Sequence, residues 1–84
     1  MEYSVDREVE LVIHHMKRVG KPQADGSYQC TFGEFFNDEQ VEQVFESLVG
    51  SLIAARRRGA LKFAGPMLLM PTHKDVVLTL NPGY

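Results

Sequence analysis

Between Val5 and Met16, apolar side chains recur at helical spacing: Val5, Val9, Val12, Ile13 and Met16 form one stripe with charged residues between them. Ser4 is placed to cap this helix, and Asp6 and Glu8 stand in its first turn, where the helix dipole favours acids. Lys17 and Arg18 close it. Gly20 suits the position just past the end, and Pro22 prevents continuation. A turn follows at Ala24-Asp25-Gly26-Ser27. From Tyr28 to Phe32 the period changes to two, with Tyr28, Cys30 and Phe32 on one face of a short strand. Gly33 ends the strand, and Glu34, Phe35 and Phe36 form a single helical turn before Asn37.

The longest apolar pattern runs through Val41, Val44, Phe45, Leu48, Val49, Leu52 and Ile53 at three- and four-residue steps. It predicts one long helix, with Asn37 and Gln40 as its capping box, acids at its start and Arg56, Arg57 and Arg58 at its end. Gly59 suits C′. Gly50 inside this helix is expected to mark close approach of the first helix. After Gly59 the pattern becomes extended: Leu61-Lys62-Phe63 is a strand and Gly65-Pro66 a break. Met67 to Met70 is a short apolar run of either type. Asp75 to Leu80 is the final strand, rich in β-branched and apolar residues. The order is helix, strand, short helix, long helix, strand, strand. That is a single α+β domain over residues 1–84, winged-helix-like, with three helices packed on a small antiparallel sheet. Closing it requires the Tyr28 strand to pair with the strands after Gly59.

Composition narrows the class. With 44% hydrophobic and 24% charged residues, the chain is too apolar to be disordered. No run approaches the roughly 18 apolar residues of a membrane span, and the first residues have neither the basic nor the apolar region of a signal peptide. Cys30 is the only cysteine, so no internal disulfide is possible. A cytoplasmic protein, small enough to diffuse into the nucleus, is the expectation. Net charge is −2, split into −5 over residues 1–42 and +3 over residues 43–84. Such a dipolar surface can steer a charged partner.

The stretch from Asp25 to Leu80 resembles the costars family. The resemblance rests on Ala24-Asp25-Gly26, on Phe32-Gly33 with Phe36 and Asp38, and on Phe45-Glu46-Ser47-Leu48-Val49-Gly50-Ser51-Leu52. It continues in Ala54-Ala55-Arg56-Arg57-Arg58, Phe63, Gly65, Leu68-Leu69 and His73-Lys74-Asp75-Val76. The family comprises short stand-alone proteins and the C-terminal domain of the striated-muscle actin-binding Rho-activating protein. The resemblance implies a winged-helix-like fold and a role in actin organisation and cell motility. It implies actin or an actin-regulating protein as partner, and a cytoskeletal location. One segment departs: Gly65-Pro66-Met67-Leu68-Leu69-Met70-Pro71 stands where family members have Gly-Glu-Leu-Leu-Leu-Gln-Gly, so an acid is lost and two prolines are gained.

The candidate binding residues are Arg56, Arg57, Arg58 and Lys62, a basic edge suited to an acidic protein surface. Against this stands the reading that consecutive arginines fan out by about 100° each and only balance the helix end. Phe32, Phe35 and Phe36 belong to the core more readily than to an exposed anchor. His14 and His15 are adjacent and diverge on a helix, and His73 bonds locally in the turn before the last strand, so no metal or cofactor is expected. Cys30 alternates inward as an inert thiol, and Ser47 and Ser51 lack a nucleophile elbow. A monomeric binding module, with no catalytic residues, is the expectation. The alternatives are an adaptor for a partner other than actin and a winged-helix DNA binder. The second is disfavoured because Asp38, Glu39, Glu42 and Glu46 would repel phosphates from the helix that enters the groove.

Overall fold

The computed structural model describes residues 5–84. The Ser4 cap lies outside them. The elements are α1 (Val5–Val19), β1 (Lys21–Pro22), β2 (Tyr28–Thr31), α2 (Phe32–Phe36), α3 (Glu39–Val44), α4 (Leu48–Arg57), β3 (Leu61–Lys62) and β4 (Val77–Leu80). The result is α+β: helices on one face of a four-stranded antiparallel sheet ordered β1-β2-β4-β3. β2 does pair with β4, and β4 with β3, as closure of the fold requires.

Strand alternation assigns the two faces of the sheet. Tyr28 lies opposite Leu80, which lies opposite Leu61, and Cys30 lies opposite Leu78. These residues face the helices, and all but Tyr28 are buried. Onto them α1 lays Val9, Val12 and Met16, α2 lays Phe32 and Phe35, α3 lays Val41, and α4 lays Leu52 and Ala55. Each fully buried Phe or Leu contributes about 1.5–3 kcal/mol, so this one cluster is the main source of stability. The other face carries the row Lys21, Gln29, Thr79 and Lys62.

Several features differ from the pattern reading. The long helix is divided. Phe45 leaves the helical region (φ −101°, ψ 129°), and α4 starts afresh after Ser47. The turn sends the Phe45 ring between His15 and Phe35, with ring centroids 6.1 and 6.3 Å away. Because Val41, Phe45 and Leu52 all still face the core, the apolar period runs through the break and hides it. The N-cap is Asp38, whose carboxylate accepts from the N–H groups of Gln40 and Val41; Asn37 instead caps the end of α2. The true capping box is Thr31 with Glu34, at the start of α2.

Next, Lys21–Pro22 adds an edge strand, so the Asp25-Gly26 turn closes a hairpin. Proline is tolerated there because an edge position needs no N–H. Gly20 serves close approach and not a left-handed cap: a Cβ on it would meet Met16 O at 2.6 Å and Gln29 O at 3.3 Å. Gly59 does take the left-handed conformation past α4, at φ +79°. Finally, Gly50 is exposed, and the nearest atom to an added Cβ is Ser47 Oγ at 2.8 Å, not α1. The last strand is also shorter than its apolar run, starting at Val77. Met67 to Met70 is neither helix nor strand; buried Leu68 pins it to the core, with the half-buried Met70 packed beside it.

Candidate functional site

α4 ends in its three arginines, and they do fan out. Arg56 folds back over the loop after β3. Its Nη1 donates to Gly65 O at 2.6 Å and Phe63 O at 3.4 Å, and its guanidinium lies 4.1 Å from the Phe63 ring centroid. This arginine is engaged in packing. Arg58 turns the other way and pairs with Asp6 on the first turn of α1. Arg57 is exposed and has no charged or hydrogen-bonding partner among the described residues. Lys62 alternates with buried Leu61 and so points from the far face of the sheet. Asp25 lies near enough for Lys62 to help lower its carboxyl pKa, although the hydroxyl and N–H of Ser27 are the larger causes. The structure therefore brings Arg57 and Arg58 together, uses Arg56 internally, and sets Lys62 apart.

Beside Arg57 and Arg58 lies an open groove of about 320 Å³, lined by Val5, Gly50, Ile53 and Ala54 as well as the two arginines. α1 packs against α4, and the groove takes Val5 from α1 and its other lining residues from α4 and its C-cap. The apolar pattern placed Ile53 in the core stripe, whereas its side chain is only half-buried. The available signal was the set Gly50, Ile53, Ala54 and Arg57, which shares one face of a helix and includes a glycine that no core contact requires.

A second cluster of charge joins α1 to α3. Arg18 donates from Nη1 to Asp38 Oδ2 at 3.1 Å and from Nη2 to Oδ1, a two-pronged bond. Its Nε donates to His15 Nδ1 at 3.1 Å. Asp38 Oδ1 also accepts from the Gln40 and Val41 N–H groups, both at 3.1 Å. The Arg18 bond, the Val41 and Gln40 N–H groups and the charge of Arg18 hold the Asp38 carboxyl down at about 2. Burial, then the charges of Arg18 and His14, lower the His15 pKa, while Asp38 opposes this. The sequence pattern sets Arg18 at the end of one helix and Asp38 at the start of another and does not pair them. A contact between residues this far apart in the chain has no local signal.

The remaining reactive groups are placed as follows. Cys30 is buried, 3.7 Å from Met16 Sδ, and burial with the nearby Glu34 pushes its thiol up to about 12. Ser51 donates to Glu8 Oε2 at 3.1 Å and to Ser47 O at 3.0 Å, a buried tie between α4 and α1. His73 bonds locally, as expected: its Nδ1 accepts from the Leu69 N–H and its own N–H donates to Leu69 O. The His14 and His15 rings stay close, edge to face with centroids 4.8 Å apart, in place of the expected divergence. Among the described residues no three His, Cys, Asp or Glu side chains gather as metal ligands, and no helix is long and apolar enough to cross a membrane. Phe32 and Phe35 are fully buried, while Phe36 keeps 36% of its surface exposed.

Comparison with known proteins places this arrangement. The profile of the Costars family matches residues 4–81. A Costars family protein of Arabidopsis thaliana is 43% identical over 79 residues, covering 94% of this chain and 83% of that protein. Protein costars of Dictyostelium discoideum is 42% identical over 76 residues, covering 90% of this chain and 93% of its own. The solution structure of human HSPC280 protein superposes with a TM-score of 0.81 at 40% identity, covering 93% of this chain and 92% of that one.

Proposed function

The chain belongs to the Costars family, and on that premise we propose that it is a protein-binding module of the actin cytoskeleton that meets an acidic protein face through the basic end of α4. The observation that carries this reading is Arg57, an exposed cation left unpaired among the described residues beside an open apolar groove. Within the basic set Arg56, Arg57, Arg58 and Lys62, Arg57 supplies the available charge. Arg58 can add to it by releasing the exposed Asp6, Arg56 acts through packing, and Lys62 supports long-range attraction only. The module works as a cytoplasmic monomer and needs no cofactor. Binding, not catalysis, is its task.

Co-sedimentation of the purified protein with actin filaments at low and physiological salt tests the reading. Salt-sensitive pelleting that falls several-fold in Arg57→Ala supports it. No pelleting at either salt removes direct filament contact. It would favour an adaptor for another protein, a reading to which the half-exposed Met67 and Leu69 in the Gly65–Pro71 loop lend weight.

A further inference from the structure

The groove between α1 and α4 combines a bare apolar floor with unbalanced charge at one end. Gly50, Ile53, Ala54 and Arg57 fall at i, i+3, i+4 and i+7, a single stripe along α4. Val5 forms the opposite wall and is 43% exposed, although an apolar residue at the start of a packed helix would ordinarily turn inward. Gly50 has no Cβ and is exposed, so a guest can come close to the α4 backbone there. At the end of the floor Arg58 is paired with Asp6, which cancels one charge of each sign. Arg57 is left over. A volume of about 320 Å³ accommodates large apolar side chains but not a folded domain.

A guest matching this surface carries apolar side chains at helical spacing for the floor and a carboxylate for Arg57, with which a guanidinium makes a two-pronged bond. We propose that the groove is a docking site for an acidic amphipathic helix of a protein partner. Its apolar side chains lie on Gly50, Ile53 and Ala54, and a Glu or Asp of the guest engages Arg57. This is helix-in-groove recognition, with specificity added by the charge at one end. The proposal rests on the reading of α4 as the partner-binding surface and adds to it the form and chemistry of the bound segment.

The test is an NMR titration of the full ¹⁵N-labelled chain with a designed 15-residue helical peptide bearing Leu on one face and Glu on its flanks. The expected result is a set of shifts centred on Val5, Gly50, Ile53, Ala54 and Arg57. Affinity should fall at least tenfold when the Leu residues become Ala. In an Arg57→Glu variant with an otherwise unchanged spectrum, affinity should again fall at least tenfold, and a Lys-flanked peptide should become the better ligand. Absence of binding, shifts centred elsewhere, or equal affinity for Glu- and Lys-flanked peptides overturns the proposal. Groove shifts that depend on the concentration of the chain alone overturn it in favour of a second copy. Groove shifts caused by Tyr3→Ala without peptide overturn it in favour of the chain's own first residues. The filament experiment fails independently: groove binding without filament pelleting leaves the docking site and removes direct actin contact, and pelleting with a silent groove does the reverse.

Discussion

Among the described residues two arginine–aspartate pairs link α1 to other helices, and they are built differently. In the α1–α3 seam, Asp38 accepts both prongs of Arg18 and two N–H groups of α3, and Arg18 also holds a buried histidine. At the α1–α4 end, Arg58 meets an Asp6 whose side chain is 79% exposed. The comparison shows when a charge is structural: its partner must already be doing something else that the fold needs. Asp38 nucleates a helix and pins α1 with one carboxylate. Asp6 balances a cation in water, and such pairs contribute little.

Breaking the seam should therefore have the largest effect. Asp38→Ala removes the α3 cap and strands Arg18, and should cost about 2 kcal/mol. In a domain of this size, that lowers the thermal midpoint by roughly 10 °C. Asp38→Asn sharpens the assignment. Asparagine is a good N-cap but carries no charge, so about half the loss should return in thermal or urea unfolding. Equal losses in the two variants would mean that the cap contributes nothing.

The seam also shows where sequence reading stops. Helix α1, the Tyr28 strand and the burial of Phe32 and Phe35 follow from local period and turn chemistry, and the pairing of that strand with those after Gly59 follows from the need to close the sheet. The break at Phe45 does not, because an apolar residue at the right angle satisfies the helical pattern whether it continues the helix or leaves it. Edge strand β1 is two residues long, too short for a period to show. Basic residues at the end of α4 are legible in the sequence, but their separate fates depend on what lies within reach. Phe63 and two carbonyls take Arg56, Asp6 takes Arg58, and nothing among the described residues takes Arg57. Those contacts are set by tertiary packing.

Next in size is Arg56→Ala. It removes the stacking on Phe63 and leaves the outward carbonyls of Phe63 and Gly65 to water, at a cost of about 1 kcal/mol. Urea unfolding measures it. A neutral result would mean that Arg56, too, is an available surface charge and would enlarge the binding edge.

Smaller again is a pH effect at the seam. The pKa of His15 in the folded protein lies below its ordinary 6.5, so the unfolded chain takes up this proton first as the pH falls. The contribution of His15 is complete above pH 6.5 and is lost as the pH drops below it. A proton on Nδ1 would then face the Arg18 N–H. Asp38, held at about 2 against an ordinary 3.8, adds stability above pH 3.8 that is lost as the pH falls towards 2. Unfolding free energies measured from pH 7.5 to 4.5 should decline less steeply in His15→Gln than in the parent. Parallel curves would mean that His15 titrates alike in both states.

The smallest stability effect belongs to the α4 end, and it separates the two pairs most clearly. Arg58→Ala should change stability by no more than about 0.5 kcal/mol, because both partners are screened by water. Arg57→Ala should change it less still, having no partner among the described residues to lose. Partner binding should respond in the opposite order to stability. Arg57→Ala weakens it several-fold and flattens its salt dependence, Arg58→Ala weakens it less, and Asp6→Ala strengthens it by freeing Arg58. The Asp6 variant is the decisive one, since it deletes an ion pair yet is expected to improve function. If Asp6→Ala weakened binding as much as Arg58→Ala, the pair itself, and not the charge it neutralises, would be what the partner recognises.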